Sequence, residues 1–156
     1  MSRIHKFLAM TRAQQSLLAK AFLLVASIRV ALWVLRFRLL APLLARFTSN
    51  PVGGGLADEA TVERTVWAVA AMARYVPRAT CLTQALAAQV LLARQGEASE
   101  LQIGVARDES LGVRAHAWLE HGGRIVIGGA SAEDFVPLSS LTIAGRRQRS
   151  AQATAR

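Results

Sequence analysis

The chain has 156 residues, 53% of them hydrophobic, which excludes an intrinsically disordered protein and leaves room for one domain with a real core rather than two. Its net charge of +9 is unevenly spread: residues 1–50 hold eight Lys or Arg and no acid, residues 51–145 hold seven basic against ten acidic side chains, and residues 146–156 add four Arg. The middle of the chain is therefore mildly acidic, which argues against a basic groove for nucleic acid, and the lone Cys81 excludes an intramolecular disulfide or a multi-cysteine zinc site.

Residues 13–47 are rich in Leu, Ala, Val and Phe. Lys20 and Arg29 bracket only eight uncharged residues, against the about 20 apolar residues that a bilayer span takes, so a span is not expected. At 100° per residue Lys20 and Arg38 point one way and Arg29 and Arg36 nearly the other, a pattern that predicts two shorter helices with a break or bend. Pro42 suits the first position of a further turn. The apolar stretch is interrupted by charge and lacks a small-residue cleavage site, so no signal peptide is read and a cytoplasmic location is expected. Residues 48–55, with Asn50, Pro51 and three glycines, form a turn-rich linker where the composition changes. The expected organisation is a basic, apolar helical segment over 1–50, a core over 56–145 and a disordered basic tail over 146–156.

Asp58, Glu59 and Glu63 mark a helix N-terminus, and the Ala-rich run that follows predicts a helix through Trp67, Ala71 and Tyr75 ending at Pro77. Trp67 and Tyr75, two turns apart, read as packing residues. Thr80 is placed to cap a helix from Cys81 to Arg94, with Gly96 as its stop. Beyond it, 101–105, 114–120 and 124–127 read as strands, and Gly122-Gly123 as a type I′ hairpin turn between the last two. An uninterrupted hairpin register then sets His116 opposite Gly129, beside Gly128. The fold class expected is α+β, with helices preceding a small antiparallel sheet.

Cys81 falls in the first turn of its helix, where unpaired amides and the helix dipole favour negative charge on a nucleophile. His116, between two alanines on a strand, is suited to take the thiol proton and return it to a leaving amine, and the Cys81 N–H is a natural oxyanion donor. A buried structural cysteine and a surface histidine are the plain alternatives. Trp118, on the same strand face as His116, and Gln84, one turn after Cys81, are candidates for substrate or oxyanion contact. His5 and His121 lack the spacing of a metal site, no nucleotide-binding glycine motif occurs, and no cofactor is expected.

The run Thr80-Cys-Leu-Thr-Gln-Ala-Leu-Ala-Ala-Gln-Val-Leu-Leu-Ala-Arg-Gln-Gly96, then Leu101-Gln-Ile-Gly-Val105, then Ala115-His-Ala-Trp-Leu-Glu120, resembles the transglutaminase-like B2 proteins of lasso-peptide biosynthesis over about residues 60–140. The resemblance implies a papain-like Cys-His peptidase that removes the leader from a ribosomally made precursor peptide. It further implies a separate small leader-binding B1 protein, an ATP-dependent lasso cyclase acting downstream, and a Thr next to the last leader residue. The family's third residue is an Asp about a dozen positions after the histidine, where this chain has glycine. A dyad of Cys81 and His116 is therefore expected, its imidazole oriented by a backbone carbonyl or by Glu133 or Asp134, with Glu120 less well placed. Two further readings stand beside it: a non-catalytic binding or scaffold module, and a membrane-surface anchor in residues 1–47.

Overall fold

The computed structural model describes residues 10–34, 58–108 and 112–142. The turn at Pro42, the linker over 48–55 and the tail over 146–156 lie outside the described residues. Helix α1 (Arg12–Val34) opens with a capping box, in which the Gln14 N–H donates to Thr11 Oγ1 and the Thr11 N–H to Gln14 Oε1. It runs unbroken over 12–34, so the break expected in residues 13–47 does not fall there, and residues 35–47 lie outside the described residues. One stripe, Leu18, Ala21, Val25 and Ile28, satisfies the core, no Gly or Pro interrupts it, and the charges that scatter round the wheel stay outside that stripe.

Helix α2 (Glu59–Ala73) is capped by Asp58, whose side chain accepts from the Ala60 N–H. It ends one turn earlier than its sequence predicts. Tyr75 and Val76 donate to Met72 and Ala73 in tighter i→i−3 bonds, because a residue before proline is pushed away from helical angles. Trp67 and Tyr75 are exposed, so they do not pack as their spacing suggested. Helix α3 (Cys81–Arg94) follows the predicted limits, with Thr80 accepting from the Thr83 N–H. Its far end is a Schellman motif, the Gly96 and Glu97 amides donating to Ala93 and Leu92. Residues 85–92 of this helix are all buried, and each full-sized apolar side chain there contributes on the order of 1.5–3 kcal/mol.

Four strands form one antiparallel sheet in the order β3-β2-β1-β4: β1 (Glu100–Asp108), β2 (Gly112–His121), β3 (Arg124–Ile127) and β4 (Val136–Thr142). Both Gly122 and Gly123 have positive φ, as a type I′ turn requires. A bulge between Leu119 and Glu120 then slips the register by one, so Leu119 pairs with Ile127 and the predicted uninterrupted register is lost. Strand β4 was not read from the sequence. It is an edge strand holding Pro137 beside a second register shift, where a residue without an N–H is tolerated.

Alternation along the strands divides the interior into two layers. Leu101, Ala117, Leu119 and Ile127 join the three helices in the main core, whereas Trp118 packs with Phe135 and Ala132 on the other side. The arrangement is α+β, three helices with a small antiparallel four-stranded sheet, and α1 contributes four buried positions to the same core as α2 and α3.

Candidate active site

Cys81 is the first residue of α3 and is partly buried against the main core. Thr80 spends its hydroxyl on the third amide of the helix, and it also shares a hydrogen with the Thr83 hydroxyl at 3.1 Å. The Cys81 and Leu82 amides, at the first two helical positions, have no acceptor within the helix. Gln84 is half-buried one turn on, its N–H donating to Thr80 O.

His116 is half-buried near the middle of β2, and its face is set by the strand period. Ala117 and Leu119 enter the main core, so His116, Trp118 and Glu120 project to the opposite side. There the imidazole lies between two aromatic rings, with centroids 6.1 Å from Trp118 in a stacked pose and 5.1 Å from Phe135 in a tilted one. The Arg114 guanidinium sits 5.4 Å from the Phe135 centroid and closes the outer side of the stack. The Trp118 indole donates to Glu120 Oε1 at 2.8 Å, which engages that carboxylate away from the imidazole.

The bond that orients the ring runs to the backbone: His116 Nε2 and Gly128 O are 2.8 Å apart. A carbonyl oxygen only accepts, so Nε2 carries the hydrogen, and in the neutral ring Nδ1 is left as the lone-pair nitrogen. Gly128 is needed for this contact. Its φ is 82°, and a Cβ there would come 2.8 Å from Ala117 O and 3.1 Å from Trp118 Cα. Gly104 performs a related service from β1, directly across from His116, because a Cβ would meet the Trp118 ring at 2.8 Å and Phe135 Cβ at 2.9 Å.

Among the orienting groups expected from the sequence, the backbone carbonyl is the one the structure supplies. Glu133 and Asp134 lie exposed in the 3₁₀ turn Gly129–Asp134, and among the described residues no carboxylate bonds either ring nitrogen of His116. Cys81 Sγ likewise has no hydrogen-bond partner among the described residues, so thiol and imidazole are not bonded to one another here. The structure thus gathers His116, Trp118, Phe135 and Gly128 into one cluster, with Cys81 and Gln84 at the start of the helix that packs on the same strand.

Sequence reasoning missed Phe135 and Gly104. An isolated glycine inside a strand signals close approach by another group, and Gly104 between Ile103 and Val105 carried that signal. Phe135 carried none, since its role depends on the 3₁₀ turn that brings it back over β2. His121, beside the Gly122-Gly123 turn, bonds Ala98 O through Nδ1 at 2.8 Å and lies 3.5 Å from Glu97 through Nε2. No group of three or more His, Cys, Asp or Glu suited to hold a metal occurs among the described residues.

No curated protein and no solved structure matches the chain. Residues 22–140 match the transglutaminase-like superfamily, a group that includes cysteine peptidases and transglutaminases. That match takes in the last thirteen residues of α1, both other helices and nearly all of the sheet, and with it the chain belongs to the transglutaminase-like superfamily.

Proposed function

We propose that this chain is a cysteine peptidase that hydrolyses one peptide bond, between leader and core of a ribosomally synthesised lasso precursor. The observation that carries the reading is the Nε2–H to Gly128 O bond, which leaves Nδ1 as the nitrogen able to take a proton. In the proposed reaction Nδ1 accepts the Cys81 thiol proton, and the thiolate attacks the scissile carbonyl. The carbonyl oxygen becomes an oxyanion facing the Cys81 amide at the helix start, with Gln84, one turn further on, as the assisting group. His116 then protonates the departing amine, leaving a thioester between Cys81 and the leader. Water, deprotonated by the same imidazole, cleaves the thioester and restores the thiol.

Cys81 packs against the main core while His116 projects from the other side of β2, so the proposed proton transfer requires substrate binding to bring thiol and imidazole together. The precursor and a separate leader-binding B1 protein are accordingly taken as required partners, in the cytoplasm, with an ATP-dependent cyclase receiving the freed core. Trp118 walls the imidazole and serves the substrate side of the cleft in the same reading. Incubation of the precursor with this chain and its leader-binding partner should yield leader and core. His116→Gln should lower the rate by about 10²–10⁴-fold, and an unchanged rate would remove His116 from the mechanism.

A second reading, a non-catalytic scaffold module, draws on the unbonded thiol and on the glycine that stands in place of an acid. It predicts that precursor maturation proceeds equally well with Cys81→Ala.

A further inference from the structure

We propose that the outer face of α1 docks the protein on an anionic lipid surface, with the helix lying in the plane of the headgroups. This inference does not depend on the peptidase reading. One stripe of the helix is committed to the core, through Leu18, Ala21, Val25 and Ile28. Outside that stripe, from Phe22 onward, large apolar side chains face outward: Phe22 is 39% exposed, Leu23 64%, Val30 58%, Trp33 78% and Val34 68%. At 100° per residue Leu23, Val30 and Val34 fall on the arc opposite the core stripe, and Arg12 and Lys20 carry the same arc through the first half of the helix. The apolar part of the arc holds a shallow groove lined by Ala26, Ser27, Val30, Ala31 and Val34.

Charge selects the occupant. The first acid in the chain is Asp58, so every ionised side chain before it is cationic: Arg3, Lys6, Arg36, Arg38 and Arg46 add to the three on the helix. An apolar strip flanked by Lys and Arg, with an exposed tryptophan at one end, fits the boundary between headgroups and acyl chains. The cations find their complement in anionic headgroups, and each one near such a surface strengthens binding several-fold. The helix is long and apolar enough to cross a membrane by length and composition, but crossing would withdraw its four core positions from the protein interior. Lying flat keeps them buried and covers the outer arc as well.

The test is sedimentation of the full chain with vesicles of phosphatidylcholine, alone or mixed with phosphatidylglycerol, at low and high salt. Binding to the mixed vesicles should exceed binding to phosphatidylcholine alone by about tenfold or more and fall at high salt. A double variant, Leu23→Glu with Val30→Glu, should lose about tenfold or more in binding, and because both positions already face water its thermal melt should match that of the parent chain. Trp33 emission should shift to the blue on mixed vesicles, and Trp33→Phe should remove that shift. Equal binding to both vesicle types, absence of binding, or a lipid-free dimer that the double variant dissociates would each overturn the proposal, the last assigning the face to a second copy.

Discussion

Gly128 carries a task that a side-chain carboxylate would otherwise hold. A carbonyl at 2.8 Å from Nε2 fixes the tautomer of His116 as an acid would, but without a formal charge to stabilise the imidazolium of the proposed reaction. The site is therefore expected to rely on position more than on electrostatics. Gly128→Ala, which sets a methyl group 2.8 Å from Ala117 O at a positive φ, should displace that carbonyl and lower kcat by about 100-fold while KM changes little. Steady-state kinetics on the precursor peptide check this, and unchanged kcat would show that the carbonyl does not position the ring. Gly104→Ala works from the other side of the cluster. Its methyl group meets Trp118 and Phe135, so urea unfolding should show a loss of about 1–3 kcal/mol. At this scale the sequence disclosed much: Cys81 and His116 stand out by residue type and setting, and a backbone carbonyl, with no residue assigned, was among the orienting groups it left open. Phe135 was not visible, because a contact made through a 3₁₀ turn leaves no periodic mark in the chain.

Helix α3 is the element that positions the proposed nucleophile, and its ends are specified by local chemistry. Thr80 at one end and Gly96 at the other reproduce the limits expected from capping preferences alone. Thr80→Ala should cost about 1 kcal/mol in unfolding free energy, and fraying of the first turn should disturb Cys81. A drop in cleavage rate larger than the stability loss explains would mark that turn as part of the site. The hairpin was legible to the same degree, since two adjacent glycines admit few other turns. Its register was not: the bulge between Leu119 and Glu120 shifts the pairing by one residue, and alternation in sequence is blind to such an insertion. Strand β4 escaped for a related reason, as Pro137 and two serines weaken a strand signal that pairing with β1 supplies instead. The early end of α2 shows proline acting one turn upstream of itself, and it leaves Tyr75 in water.

At the scale of the molecule, the charge distribution and the fold tell the same story from different sides. The acidic middle holds the candidate site, while the cation-rich start supplies a helix that closes the core with one face and presents apolar surface with the other. Leu18→Ala, at a position only 3% exposed, should lower global stability by about 2–5 kcal/mol and leave the unfolding transition single, because α1 shares one core with α2 and α3. Two separate transitions would show that the first helix folds apart from the rest. The exposed ion pair between Arg124 and Glu59, at 2.7 Å, ties β3 to α2 but contributes at most about 1 kcal/mol. The proposal that unites these scales is a peptidase whose nucleophile, Cys81, begins one helix and whose base, His116, is held by a backbone carbonyl. Its most direct test is mass spectrometry of a lasso precursor peptide incubated with a leader-binding B1 protein and either this chain or Cys81→Ala. The account predicts leader and core whose masses sum to the precursor plus one water with the parent chain, and intact precursor with Cys81→Ala; full cleavage by the Cys81→Ala chain would contradict it.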